Sequence, residues 1–380
     1  MRTYHAGGRA RPPAWYVRIW PALPSRGSVI PAPAPDSAVP YHYGAPAREG
    51  RAFEEGRARV ELASEVVTVA GPDRLKWLHA ITSQQFIGLA EGDSVESLIM
   101  SPHGHVEHAF GAVDDGATTW LITEPGSGAG LAEYLRSMQF ASRVEVAVRE
   151  GVRAVAANAA EHPLAVRAHV VWADPWPATT GTTYGPTDAE HPATGFWNVQ
   201  IAVIPQESTI EGELAGMWAF EAARIAAWRP RLAHEVDERT LPHELDWLRT
   251  AVSMDKGCYR GQETVARVVN LGRPPRRIVF LHLDGLADDL PAPGAEIRVG
   301  GKPVGRLTSA ERHHELGPIG LGAIKRNTKP DGAAEVQGAD GPVAVAIEAI
   351  VSPEGVSAAT PAQRPGAELR GSSLGRRPGA

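Results

Sequence analysis

Near residue 271 the sequence changes texture, and that change constrains the fold more than any other feature. "RRIVFLHLDG", "AEIRVGGKPVGRLTSA", "GPIGLGAIKR" and "VAVAIEAIV" are short β runs, each bounded by glycine or proline. Runs of this length and spacing predict a small barrel or sandwich. The preceding part mixes both periodicities. "PDRLKWLHAIT" predicts a helix after Pro72, with Leu75, Trp77, Leu78 and Ile81 at helical spacing. "GLAEYLRSM" predicts a second helix. Residues Gly212 to Trp228 give the longest helical pattern, which Pro230 stops. "ARVELASEVVTVAG" alternates like a strand or hairpin, and Ser94 to Thr123 like an antiparallel meander with turns at Pro102–Gly104 and Asp114–Gly116. The expected class is α+β, with a β-rich C-terminal unit.

A chain of 380 residues predicts two or three domains. Residues 1–44 and the tail 356–380 are rich in proline, glycine and alanine and are expected to be disordered. Between them, residues 45–270 and 271–355 are expected to form two domains. With 38 basic and 44 acidic side chains, the net charge of −6 argues against a protein coated in nucleic acid. One cysteine excludes an internal disulfide framework and any multi-cysteine metal site built by one chain. No stretch approaches the roughly 20 apolar residues of a membrane span. Val343 to Val351 is interrupted by Glu348 and reads as a buried strand. The N-terminus lacks the apolar core of a secretion signal, so the expected location is the cytoplasm, with no membrane partner.

Four stretches carry possible chemistry. "DKGCYRGQETVAR" (Asp255 to Arg267) places the lone Cys258 between Gly257 and Gly261 and near Lys256. A neighbouring ammonium would favour the reactive thiolate, whereas a buried cysteine beside a turn would be a small apolar filler. "SPHGHVEH" would put His103, His105 and Glu107 on one face of a strand, a possible metal site or simply an exposed strand. "RHHEL" (Arg312 to Leu316) carries less weight, because adjacent strand residues point opposite ways. "GSGAG" (Gly126 to Gly130) could seat a phosphate at a helix start but reads better as a flexible loop. Finally, Arg267, Arg273, Arg276 and Arg277 gather at the expected domain junction, as an anion site or a solvated linker.

The stretch Lys256 to Glu263, K-G-C-Y-x-G-Q-E, resembles the signature of the YgfZ family of folate-binding proteins. These are relatives of the aminomethyltransferase (T-protein) of the glycine cleavage system. Further segments in the same order, among them "VTVAGPDRLKWLHAITSQ", "EAARIAAWRPRLAHEVDERTLPHELDWL" and "TSAERHHELGPIGLG", are similar to the actinobacterial-type branch over roughly residues 42 to 352. The resemblance implies an aminomethyltransferase-like folate-binding domain followed by a small β-barrel. It also implies a role in iron–sulfur cluster assembly or repair, and so indirectly in tRNA modification. Its site residues would be Cys258 and Lys256, in a motif with Gly257, Tyr259, Gly261, Gln262 and Glu263. Glu221, Arg224, Trp228, Arg267 and Arg273 would serve a tetrahydrofolate-type ligand. No resident metal is expected. A cluster would be held only transiently or shared with a partner, because a lone thiol falls short of the usual four cysteine ligands. The expected partners are cluster-assembly proteins and cluster-containing enzymes.

Two departures from the related pattern set the balance between assembly factor and enzyme. The T-protein's Asp-Asp pair is absent, since the corresponding stretch reads Gly104, His105, Val106, Glu107, His108. The pattern R-[IL]-E-A-G appears as Arg224, Ile225, Ala226, Ala227, Trp228, with alanine in place of the glutamate that meets the pterin. Both weigh against a folate-dependent aminomethyl or one-carbon transferase, which stands as the alternative.

Overall fold

The computed structural model of the protein describes residues 29–285, 289–329 and 333–362. Two five-stranded sheets form its main body. The first runs Val170–Ala173, Val199–Pro205, Val152–Asn158, Ala58–Leu62, Glu213–Ala215, antiparallel except for the last pair. The second runs Ser94–Met100, Val106–Asp114, Thr118–Thr123, Glu65–Ala70, Glu145–Val148, antiparallel throughout. Among the described residues six α-helices accompany them: α1 (Pro46–Glu54), α2 (Arg74–Ile81), α3 (Gly128–Ser137), α4 (Met217–Ala226), α5 (Leu232–Glu235) and α6 (Gln262–Asn270). The meander and the helices expected at residues 72–82 and 130–138 are all present.

The alternating stretch at residues 57–71 is not a hairpin. Its halves are strands Ala58–Leu62 and Glu65–Ala70, and they join different sheets. Alternation along the second strand explains why: Val66 faces one core cluster, while Val67 and Val69 face another. The sheets lie close where Gly111 meets Trp172. A Cβ at Gly111 would sit 2.5 Å from the indole, so only glycine admits the ring there. Trp172 then donates its indole N–H to the Val95 carbonyl at 2.9 Å, joining the first sheet to the second.

The C-terminal β runs close into a six-stranded barrel, ordered Arg276–Leu283, Gly317–Lys325, Lys302–His313, Glu296–Val299, Ala334–Gln337, Pro342–Ala349. Closure leaves no free sheet edge. Period-two alternation along Arg276–Leu283 serves two cores at once. Val279, Leu281 and Leu283 fill the barrel, while Ile278 and Phe280 pack into the main core. Strand Pro342–Ala349, expected to be buried, instead alternates between exposed and half-buried residues. It forms an outer wall with one face in water. Val343, Val345 and Ile347 on its other face pack against the barrel interior.

Two further expectations are corrected. The helical pattern from Gly212 begins as a strand, because Glu213–Ala215 pairs in parallel with Ala58–Val60. Gly216 follows in extended conformation, its N–H held by the buried Glu49 carboxylate at 3.0 Å, and α4 starts only at Met217. The expected disorder of residues 1–44 and 356–380 fails at the inner ends. Residues 29–44 form a two-stranded hairpin burying Ala32, Asp36 and Val39. Residues 358 and 359 are pinned through their N–H groups to Thr183 and Thr182. The rest of both ends, 1–28 and 363–380, lies outside the described residues.

Asp36 is buried because it is paired. Arg231 bonds it through both Nη atoms at 3.0 Å and also engages Glu124 at 2.5 Å and Glu221 at 2.6 Å. Arg224, fully buried, bonds Glu221 at 2.6 Å, Glu235 at 3.1 Å and the barrel residue Ser309 at 2.6 Å. Burial alone would push the Glu221 carboxyl up, but Arg224, Arg231 and His234 outweigh it and hold the group well below the usual carboxylate range. Arg231→Met would leave Asp36 and Glu124 without their arginine and Glu221 with Arg224 alone, and an expected loss of about 3–5 kcal/mol should appear in urea denaturation.

Nearby, Tyr41 donates its hydroxyl to Glu311 at 2.6 Å. Burial raises the Glu311 carboxyl from an ordinary 4.5 to about 7. Over that window the folded chain keeps a proton that the unfolded chain releases. The stability contributed by Glu311 is therefore full below pH 4.5 and is lost as pH rises through 7. Glu311→Gln should gain about 1–3 kcal/mol on wild type between pH 4.5 and pH 8, read from urea midpoints at each pH.

Candidate functional site

The loop carrying the lone cysteine is held from three sides. Lys256 is buried. Its Nζ donates to the carbonyls of His79, of Thr82 at 2.5 Å and of Gln84 at 3.1 Å, closing the C-terminal end of α2. It also lies 5.3 Å from the Tyr259 ring centroid. Burial lowers its pKa to about 8. Gly261 begins α6 at φ 86°, and a Cβ there would meet the Ser101 carbonyl at 2.7 Å. Arg260 bonds Glu107 at 2.7 Å and lies over the Tyr134 ring. Two stretches that looked independent in sequence, "KGCYRGQE" and "SPHGHVEH", are thus one structural unit.

Within that frame Cys258 is exposed, beside the exposed Gly257. Lys256 is a structural clamp: its ammonium is engaged by the carbonyls of His79, Thr82 and Gln84. Tyr259 is buried. Gln262 reaches the Lys256 carbonyl at the long distance of 3.5 Å. Glu263 is exposed and pairs with Arg267 one turn along α6.

A second feature is a cavity of about 100 Å³ between the two sheets, α4 and the segment that follows α4. Trp172, Trp197, Trp247, Phe110 and Phe220 supply flat walls. Polar groups enter as ion pairs. Arg229 contacts Glu96 at 2.8 Å and Asp174 at 2.9 Å. Trp247 also donates to Glu96 at 2.9 Å and Trp197 to Asp174 at 2.8 Å. Burial holds the Glu96 carboxyl above its ordinary range despite Arg229. Burial opposes the charge of Arg229, but Asp174 and Glu96 outweigh it and fix the guanidinium as a cation.

The residues expected to serve a folate are dispersed. Arg224 lines the cavity, but its guanidinium is taken up by Glu221, Glu235 and Ser309. Glu221, one helical turn earlier, is absent from the lining and is spent on Arg224 and Arg231. Trp228 is not a cavity wall either. It sits at φ 58°, with its ring against His191 and Phe280 at the barrel junction. Its N–H reaches the Ile225 carbonyl, and the Arg229 N–H reaches that of Arg224, the two bonds of a Schellman cap. The left-handed backbone that the related pattern fills with glycine is therefore kept here by tryptophan. Arg267 and Arg273 are exposed and away from the cavity, while Arg276 pairs with Asp237 and Glu244. Arg277 is buried and donates to the carbonyls of Arg326 and Thr328.

The metal reading of "SPHGHVEH" fails on geometry. The strand starts only at Val106, His103 is in the preceding turn, and Glu107 is taken by Arg260. The helix start at "GSGAG" is likewise satisfied from within, since Glu65 accepts the Gly128 N–H at 2.7 Å. Sequence reasoning missed the cavity's own polar set. Its signal was a single acid beside or within an apolar run, as at Glu96 in "SVESLIM" and Asp174 in "VVWAD".

No protein-family model matches the chain. A chloroplastic protein of Arabidopsis thaliana, described as a candidate transferase, is 28% identical over 321 residues, or 76% of this chain and 70% of that protein. The solved structure of the glycine cleavage system aminomethyltransferase T from Bartonella henselae superposes with a TM-score of 0.62 at 15% identity. That match covers 82% of this chain and 91% of the other. The chain therefore has the mixed α and β architecture of the aminomethyltransferase fold, with a closed six-stranded barrel in its C-terminal part. Among the described residues no helix is long and apolar enough to cross a membrane.

The clamp and the thiol are separable by mutation. Lys256→Met would orphan three carbonyls at the end of α2 and should cost about 1–3 kcal/mol in thermal or urea unfolding. Cys258→Ser, at an exposed position, should change stability by less than about 0.5 kcal/mol.

Proposed function

We propose that this protein is an accessory factor of the YgfZ type, with a folate-related ligand in its central cavity and Cys258 serving iron–sulfur proteins at its surface. One observation carries the reading: the thiol is exposed on a loop held by Lys256, Gly261 and Arg260, and it does not line the cavity. A thiol placed this way can reach a large partner. It is not placed to act on a ligand enclosed between the sheets. The cluster would be cargo, with Cys258 giving one thiolate and the partner the remaining ligands.

The cavity fits a folate-type ring in kind. Flat aromatic walls suit a bicyclic heteroaromatic ring, and Glu96 and Asp174 are acceptors of the type its donor edge needs. At about 100 Å³ it is narrower than the roughly 300 Å³ at the lower end of ligand pockets, so entry requires the walls to part. Both carboxylates are bridged by Arg229, so binding would also redistribute that pair. The ring would contribute a site for one-carbon groups, and this chain's residues would enclose and orient it.

The second reading, a folate-dependent one-carbon transferase, draws on the shared fold and on the transferase description of the plant relative. Against it stands the lack of a free carboxylate: in the cavity Glu96, Asp174 and Glu124 are all paired with arginines. A general base needs an open lone pair within reach of the proton it takes.

The test is rescue of a [4Fe–4S] dehydratase in cells lacking this protein. Wild type should restore its activity, and Cys258→Ser should leave it near the deletion level while binding tetrahydrofolate like wild type. Equal rescue by both would remove the thiol from the function. Turnover of tetrahydrofolate with an amine donor by the purified protein would favour the transferase.

A further inference from the structure

Strand alternation speaks against the paired histidines of "RHHEL" as a joint site, because adjacent strand residues face opposite ways. The structure removes that objection. Strand Lys302–His313 ends at His313, and His314 belongs to the turn that follows. Both rings therefore swing to one side and stack, with centroids 4.6 Å apart. They meet Glu54, the last residue of α1. His313 Nε2 lies 2.7 Å and His314 Nδ1 3.4 Å from Glu54 Oε1, with the side chains of both histidines only 4% exposed.

These three atoms are buried, yet none is aligned for a hydrogen bond. Buried polar atoms are almost always satisfied, so three that meet at one point suit a shared occupant. The donor atoms all lie within 4.8 Å of one another, the one such group of three among the described residues. Two imidazoles and a carboxylate at about 2.0–2.2 Å from a common centre are the ligand set of zinc sites with an open position. We propose that Glu54, His313 and His314 bind a divalent first-row cation of the zinc class, which links α1 to the barrel.

The surrounding contacts differ between the two rings. His314 has its far nitrogen, Nε2, 3.8 Å from the exposed Glu315 carboxylate, too far for a hydrogen bond, while its Nδ1 faces Glu54. His313 is set differently. Its Nδ1 accepts the N–H groups of Glu315 and Leu316, both at 3.1 Å, so its proton sits on Nε2, facing Glu54. Loading moves that proton to Nδ1, and the turn at residues 315–316 gives up two hydrogen bonds. Glu315 and Leu316 are exposed and can shift to allow this.

The test uses the full chain carrying Cys258→Ser, so that the thiol cannot capture metal, with zinc chloride as the probe. Calorimetry should show one equivalent bound, and both His314→Gln and Glu54→Gln should weaken it at least tenfold. Zinc should raise the melting temperature of the parent and not of these variants, and it should speed amide exchange at Glu315 and Leu316. A circular dichroism spectrum matching the parent certifies that each variant is folded. Equal binding by the variants, loss of binding on His105→Gln instead, or no heat and no melting shift with excess zinc would each overturn the proposal. The last outcome would leave the three side chains as a direct His–Glu contact.

Discussion

The Arg231 guanidinium is the point on which the assembly of this protein turns. It bonds Asp36 of the N-terminal hairpin, Glu124 after the second sheet's strand, and Glu221 of α4. Arg224, bound to the same Glu221, carries the network on to Glu235 and to Ser309 in the barrel. Desolvating several charges is offset only if every partner is in place. The position of each of these elements is thus conditional on the others. Arginine suits the task because its planar fork serves several carboxylates at once, which a lysine ammonium cannot do with the same geometry.

The same segment shapes the cavity. α4 ends at a left-handed Trp228, and the chain then delivers Arg229 and Arg231 to different carboxylate sets. Arg229 reaches inward to Asp174 and Glu96, and Arg231 toward the hairpin and Glu124. A bulky residue at positive φ is uncommon and persists only where its surroundings fix it. Here the fixing contacts are His191 on one side and Phe280 of the barrel on the other. Cavity shape and barrel docking are therefore set by the same turn.

Separation of the thiol from the cavity has a chemical meaning. A cysteine enclosed with a ligand would act on that ligand, whereas Cys258 faces solvent beyond a loop fixed by main-chain and ionic contacts. In the proposed accessory role, a thiol exposed on a loop held in this way would lose little loop entropy on meeting a partner. The barrel is tied to the body by apolar packing around Phe280, by the Ser309 network and by the meeting of His313 and His314 with Glu54.

Much of the architecture was legible in the sequence because it rests on local periodicity. The barrel, the meander and helices α2 and α3 follow from side-chain alternation, helical spacing and the glycines and prolines that punctuate them. The motif around Cys258 was legible as a motif, and so was its need for glycine at 261. What each polar residue does was not. Lys256 is next to the cysteine in sequence, but its ammonium closes α2, because three carbonyls of a distant segment converge on it. Glu221 and Arg224 sit one turn apart as a ligand pair would, yet Arg231 claims Glu221, and Glu235 and Ser309 claim Arg224. His313 and His314 looked divided by the strand and are joined because the strand ends between them. Periodicity is a property of neighbours along the chain, so sequence alone decides it. The partner of a buried charge is chosen among groups far apart in sequence, by whichever arrangement leaves no charge unpaired, and only the tertiary structure decides that.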